Sequence, residues 1–331
     1  MPTHVKNRSY GKLDFKDSAD QRRRNAPRQP APNDEIRPLN ETHIRILEFI
    51  HLFGGFTTSQ LVHEFCKLEG ITKQTAITYV RDKLLKEAMY HNHGVIEKPE
   101  EQFVVRNMYG SSNRMNHSQY LVYRISEKGE RLLKEVGRWN QHAPRAHGWY
   151  KHQMMTACTY QIFYLSARKA GIRFTPQHEL KPKDSFILLP PELRVFPDAV
   201  FVLHLKQPFL FFFEMDRGTE KGSRKAKRKT WGKGIKYYKR IIQEKLYLEN
   251  YELPKEHRAF LMAMTTDKTM AGRILQDIEQ EYQSECFEML VHATRSFGPL
   301  PSDFYPPRMY NILDVLWERH NCQEIKFSRH N

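Results

Sequence analysis

Cysteine is scarce in this chain. Four occur in 331 residues, Cys66, Cys158, Cys286 and Cys322, with no CxxC spacing. This excludes a disulfide framework and a zinc site of familiar spacing, and predicts reduced, structurally incidental thiols. Long apolar runs are missing too. None approaches the roughly 20 residues that a membrane span needs. Residues 1–38 hold no apolar signal core, so the expectation is a cytoplasmic protein with no membrane partner. Acidic residues are short relative to basic ones, 38 Asp and Glu against 53 Lys and Arg. The resulting net charge of +15 and pI of about 9.5 argue for a polyanionic partner, but are silent on fold. Hydrophobic residues at 40% and charged residues at 27% describe an ordinary globular protein, long enough for two or three domains. No internal repeat is visible.

Residues 1–38 carry Arg22, Arg23 and Arg24 among several prolines and little to bury. They read as a disordered basic tail, either adding phosphate contacts or only aiding solubility. From residue 39 to about 140 the pattern is mainly helical. Asn40 caps a helix whose apolar face is Ile44, Leu47, Ile50 and Phe53, and Gly54-Gly55 stop it. Thr57 or Thr58 starts a second helix, and Thr72 caps a third, Lys73 to Glu87. The third turns Ala76, Val80 and Leu84 inward and leaves Lys73, Gln74, Thr75, Thr78 and Arg81 outward. A wing follows from Met89 to Met115, a returning strand from Gln119 to Ile125, and a helix from Glu127 to Val136 capped by Ser126. This arrangement resembles a winged helix-turn-helix, a DNA-binding module that also serves in protein docking. Gln141 to Gly148 reads as a linker.

The second unit, residues 145–331, is expected to be α/β (α+β) around a mixed sheet. A helix from Trp149 to Ala170 has the core stripe Met155, Cys158, Ile162 and Leu165, with His152 on the same face. A strand from Ile172 to Leu180 holds Glu179. Two apolar runs, Val195–Leu203 and Phe209–Phe213, then form an antiparallel hairpin. The second run is apolar at every position, which suits a central strand covered on both faces. It ends in Glu214 and Asp216, which point the same way. A turn centred near Lys206 places Asp198 across from Glu214. Three carboxylates then share one spot, and like charges so close disfavour joint ionisation unless a hard divalent cation joins them.

Arg217 to Arg240 holds eleven Lys and Arg against one Glu, a net of +10. Arg224, Lys225, Lys227, Arg228 and Lys229 lie in it. A basic run is usually a solvated face. This one is denser than solubility requires and adjoins the acids, which suits a phosphodiester backbone. Trp231, Tyr237 and Tyr238 interleave with it and pack on sugar, base or core. A helix from Ile235 to Leu248 and a strand from His257 to Thr265 complete a strand–helix–strand crossover, hence a parallel pairing. A helix from Lys268 to Tyr282, a strand from Cys286 to Ala293 and a helix from Met309 to His320 close the chain.

Pro197-Asp198 on one strand and an acidic doublet on the next resemble the PD-(D/E)xK nuclease core. The string Phe196-Pro197-Asp198, then Glu214-Met215-Asp216-Arg217-Gly218-Thr219-Glu220, then Lys233 and Tyr237, is similar to the replication-relaxation family of plasmid and mobile-element proteins. The resemblance covers residues 40 to 265. It implies an N-terminal winged helix followed by a restriction-endonuclease-like domain. It further implies Asp198, Glu214 and Asp216 as metal ligands, with Mg²⁺ or Mn²⁺ present if the centre is catalytic, and His152, Glu179 and Tyr237 as auxiliary residues. The nuclease pattern wants Lys two residues after the acid, where this chain has Asp216; Lys233 on the following helix is the replacement. The function implied is metal-dependent endonuclease or nickase activity in plasmid or mobile-element replication, relaxation or mobilisation. The alternative is a non-catalytic DNA-binding replication or transcription factor on a degenerate nuclease fold. Double-stranded DNA is the expected partner, with a second copy of the chain or replication and mobilisation proteins as further ones.

Overall fold

The computed structural model describes residues 39–72, 75, 96–97, 122–144, 150–189, 193–216, 231–282, 288–294, 311–319 and 324–327. Helix α1 (Glu41–Leu52) begins with a reciprocal cap: the His43 amide donates to Asn40 Oδ1 at 3.0 Å, and the Asn40 amide donates to His43 Nδ1 at 3.2 Å. Gly54 and Gly55 end it with φ of +100° and +80°. A Cβ on Gly54 would lie 3.1 Å from the Ala157 Cβ, so this turn is also a place where backbone approaches a neighbouring helix closely. Strand β1 (Phe56–Thr58) follows, and Thr58 caps α2 (Ser59–Leu68). The sequence pattern shows the helix but hides the three-residue strand before it.

Strand β3 (Val122–Ile125) lies between β1 and β2 (Ile96–Glu97), antiparallel to both, with Thr57 opposite Tyr123 and Ile96 opposite Ile125. Ser126 caps α3 (Glu127–Glu135) as expected, accepting from the Gly129 amide at 3.1 Å. Of the expected third helix, Thr72 Oγ1 accepts from the Thr75 amide at 3.2 Å; the rest lies outside the described residues, as does most of the expected wing.

Helix α4 (Tyr150–Ala170) joins this region to the main sheet. One side meets α2 and β1, where Gln161 Nε2 donates to the Phe56 carbonyl at 2.6 Å and Thr57 Oγ1 donates to Gln161 Oε1 at 2.8 Å. The other side meets β4 (Arg173–Pro176), β7 (Ala199–His204) and β8 (Pro208–Asp216). A single hydrophobic core therefore runs from Ile44 and Phe65 through Phe163 to Phe213.

The main sheet has seven strands in the order β12-β11-β10-β9-β8-β7-β4. Strands β4, β7 and β8 form an antiparallel meander. Helix α6 (Trp231–Gln243) then crosses over to β9 (Arg258–Thr265), parallel to β8. Helix α8 (Lys268–Tyr282) repeats the crossover to β10 (Met289–Ala293), parallel to β9. Strands β11 (Trp317–Glu318) and β12 (Glu324–Ile325) close that edge antiparallel. A small antiparallel hairpin, β5 (Ile187–Leu189) and β6 (Leu193–Val195), precedes β7.

Three expectations need correction. The strand through Glu179 ends at Pro176, because the Gln177 amide donates to the Tyr160 hydroxyl at 2.7 Å instead of to a ladder. Residues Gln177–Leu180 form a single helical turn, α5, so Glu179 is helical. The helix expected from Ile235 to Leu248 starts earlier, at Trp231, and breaks at Lys245, whose φ is +54°; α7 (Tyr247–Tyr251) follows. Within the expected helix Met309–His320, residues 311–319 contain no helix. There Ile312, Leu313 and Trp317 are buried by a turn and by β11, which adds to the sheet, so packing overrides local helical spacing. No helix among the described residues is long and apolar enough to cross a membrane. Cys66 and Cys158 are free and buried, and burial pushes the Cys66 thiol up to about 12. Cys286 and Cys322 lie outside the described residues.

Candidate functional site

The hairpin register decides what meets at the end of the sheet. Ala199 is opposite Phe213 in the last pair of the ladder, and the Asp198 amide donates to the Phe213 carbonyl at 3.1 Å, so Asp198 sits just past the ladder, beside the end of β8 that carries Glu214. Along β8 the residues alternate. Phe211, Phe213 and Met215 join the α4 core, while Leu210 and Phe212 join the core under α6 and α8. Glu214 and Asp216 continue the second set and are buried, 8% and 3% exposed.

Buried carboxylates require donors. Helix α6 supplies them from one inner stripe, Trp231, Ile235, Tyr238 and Ile242, spaced four, three and four apart. The Tyr238 hydroxyl donates to Glu214 Oε1, and Trp231 Nε1 donates to Asp216 Oδ2 at 2.9 Å. The two donors are seven residues apart, two helical turns, matching two acids one pleat apart. Asp198 is held from two sides. Its Oδ2 accepts from the Met215 amide at 2.8 Å, and its Oδ1 is hydrogen-bonded to His152 Nε2, 2.9 Å away in the first turns of α4. Tyr238 reports the local field: burial first, then the charges of Glu214 and Asp198, keep its phenol neutral well above the usual tyrosine range. One tyrosine thus senses both acids.

The remaining candidates divide. Lys233 is on the exposed side of the first turns of α6, roughly 140° around the axis from Tyr238. Among the described residues no hydrogen bond or ion pair joins Lys233 to Asp198, Glu214 or Asp216. Tyr237 is half-buried beside the α6 core, and Glu179 is exposed on α5. Thr75 is half-buried and bonded to Thr72. Lys73, Gln74, Thr78, Arg81, Arg224, Lys225, Lys227, Arg228 and Lys229 lie outside the described residues.

Of the residues that bond to the acids, His152 is among the auxiliary residues that the family resemblance implies, while Trp231 and Tyr238 are not. Trp231 and Tyr238 were read only as aromatics in a basic run; their spacing of seven was the available signal. His152 was assigned to the apolar face with Met155, and its pairing with Asp198, 46 residues away, has no local signature.

Carboxylate oxygens are the ligands that a hard cation takes. Magnesium commonly takes one or two carboxylates and completes its shell with water and phosphate oxygens. Among the described residues, no three His, Cys, Asp or Glu side chains are gathered so as to hold a metal ion.

Residues 95–253 match the family model for replication-relaxation. Over these residues, just under half of the chain, it is similar to the replication-relaxation family. No curated protein and no solved structure matches the chain. The replication-relaxation span contains α4, the β4–β7–β8 meander and α6, and with them every residue of the acidic cluster. Helices α1 and α2 precede it, and β9 to β12 follow it.

Proposed function

We propose that this protein acts on DNA during replication, relaxation or mobilisation of a plasmid or mobile element, and that its main sheet carries a metal-dependent nicking centre. The observation behind this reading is the hairpin that brings Asp198, just past the Ala199–Phe213 pair, beside the end of β8 where Glu214 and Asp216 lie. The match of residues 95–253 to the replication-relaxation model supports the setting. The order helix, three-stranded meander, crossover helix and parallel strand supports a PD-(D/E)xK-like domain over residues 145–331. Helices α1, α2 and α3 with the small β1-β3-β2 sheet support a winged helix over residues 39–140, after a basic tail at 1–38.

In this reading Asp198 and Glu214 hold Mg²⁺ or Mn²⁺, and Asp216 is a further acidic neighbour. The cation, when bound, supplies a more acidic water and charge neutralisation at the phosphate. The chain's own residues orient the acids. Tyr238 and His152 fix the two carboxylates from opposite sides of the sheet, and the Met215 amide locks the second Asp198 oxygen. Lys233, at the exposed start of α6, offers an ammonium to the phosphodiester. Lys73, Gln74, Thr75, Thr78 and Arg81 contact duplex DNA, and Arg224 to Lys229 track its backbone. The test is conversion of supercoiled plasmid to open circle with Mg²⁺ or Mn²⁺. The wild type nicks and Asp198→Asn does not; equal, metal-independent nicking by both discards the assignment.

A second reading is favoured by one observation: each acid already accepts a hydrogen bond from Tyr238, Trp231 or His152, and the place two residues after Glu214 holds Asp216, not Lys. The acids then dock α6 and α4 onto the sheet, and the protein is a non-catalytic DNA-binding factor. DNA binding that persists in EDTA, with no cleavage under any metal, selects it.

A further inference from the structure

The surface leading to Asp198 is aromatic. Hairpin β5–β6 pairs Leu188 with Arg194, and the same register carried outward sets Phe186 across from Phe196. Their ring centroids are 5.6 Å apart, and the Arg194 guanidinium sits 4.7 Å from the centroid of Phe186. The inner residues Ile187, Leu189 and Val195 are buried in the core with α6. The alternate residues form the outer face. There Leu188 is 54% and Phe196 40% exposed, and Arg194 is exposed as well. Pro197 then carries the chain from Phe196 into Asp198, so the face ends two residues from the acidic site.

Four neighbouring residues combine a half-buried ring under a planar cation, an exposed ring and an aliphatic contact, on a protein of net charge +15. Bases inside a duplex are stacked on one another and do not offer their faces to side chains. An unpaired strand offers both base faces and phosphates, and aromatic side chains with Arg are the chemistry that takes them up. We infer that the outer face of hairpin β5–β6 is a stacking platform for an unpaired DNA strand running toward Asp198 and Glu214. The inference rests on the DNA-acting reading above, but not on its cleavage step.

The experiment measures fluorescence anisotropy of a labelled oligothymidylate and of a duplex of equal length, both in EDTA so that cleavage plays no part. Phe186→Leu combined with Phe196→Leu keeps apolar bulk and removes the rings. The expected result is about tenfold weaker binding of the single strand, with duplex affinity changed by less than about twofold. Phe196→Trp retains wild-type single-strand affinity. Circular dichroism melts of both variants check folding. Unchanged single-strand affinity in the Leu variant overturns the platform, as does an equal loss on both DNAs. A shift from dimer to monomer in sedimentation velocity identifies the face as a contact between copies and also overturns it. A wild type that binds duplex alone removes the platform and leaves the broader reading standing. A wild type that binds neither DNA removes both.

Discussion

The two faces of the main sheet solve different problems. Toward α4, the sheet presents an apolar face rich in rings. Phe201 lies 4.9 Å from Phe163, 5.0 Å from Phe174 and 5.5 Å from Phe211, centroid to centroid. Such a face is held by burial and shape, and no donor has to be aimed. Toward α6, Val200, Val202, Leu210 and Phe212 are just as apolar, but the same rows end in Asp198, Glu214 and Asp216. Glu214 and Asp216 need directional partners, and α6 provides them with aromatics that carry a polar tip, while Asp198 takes His152 from α4 and the Met215 amide. One strand, β8, serves both. Its alternation lets an all-apolar run build two cores and still deliver acids to only one of them.

The largest expected effect breaks the ring face. Phe201→Ala should cost about 3–5 kcal/mol of stability in urea unfolding, through lost burial and a cavity touching three other rings. A cost under about 1 kcal/mol would mean that the ring face is not a packed core.

The α4 side also buries a histidine. His178, on α5 beside Phe53, is held neutral, its pKa lowered to about 4 by burial first and then by the nearby His51. Its folded value lies below the ordinary 6.5. Its contribution is therefore present above pH 6.5 and lost as pH falls through that value toward 4, on the order of 2–3 kcal/mol. Stability measured across that window should decline in the wild type and decline less in His178→Gln.

Smaller effects sharpen the acidic face. Tyr238→Phe removes the hydroxyl that donates to buried Glu214 and should cost about 1–3 kcal/mol. Trp231→Phe tests Asp216 in the same way, at about 1 kcal/mol, since Asp216 sits nearer the end of β8. Double substitution with Glu214→Gln should cost less than the sum of the two singles for Tyr238, because the pair acts together. Full additivity in that cycle would separate them.

The acid-bearing hairpin was readable because a short polar turn between two apolar runs leaves few registers, and a one-residue slip would have put Asp198 on the ring face. The parallel crossover to β9 followed from its length alone. What stayed hidden came from elsewhere in the chain. Tyr238 and Trp231 reach the acids from 24 and 15 residues downstream, and only the family resemblance pointed to His152, 46 residues upstream of Asp198. Trp317 looked helical beside Leu313, four residues earlier. Its burial against Phe163 and Phe327 at the sheet edge is a long-range contact that no local spacing records. Strand β1 is three residues long, too short to show a period.

Asp198 and Glu214 form either one site or two separate anchors. Electron paramagnetic resonance of free Mn²⁺, titrated into the wild type, Asp198→Asn and Glu214→Gln, measures this without requiring turnover. A single site predicts uptake by the wild type and at least about tenfold weaker uptake by each variant alone. Uptake that either substitution leaves unchanged would contradict it.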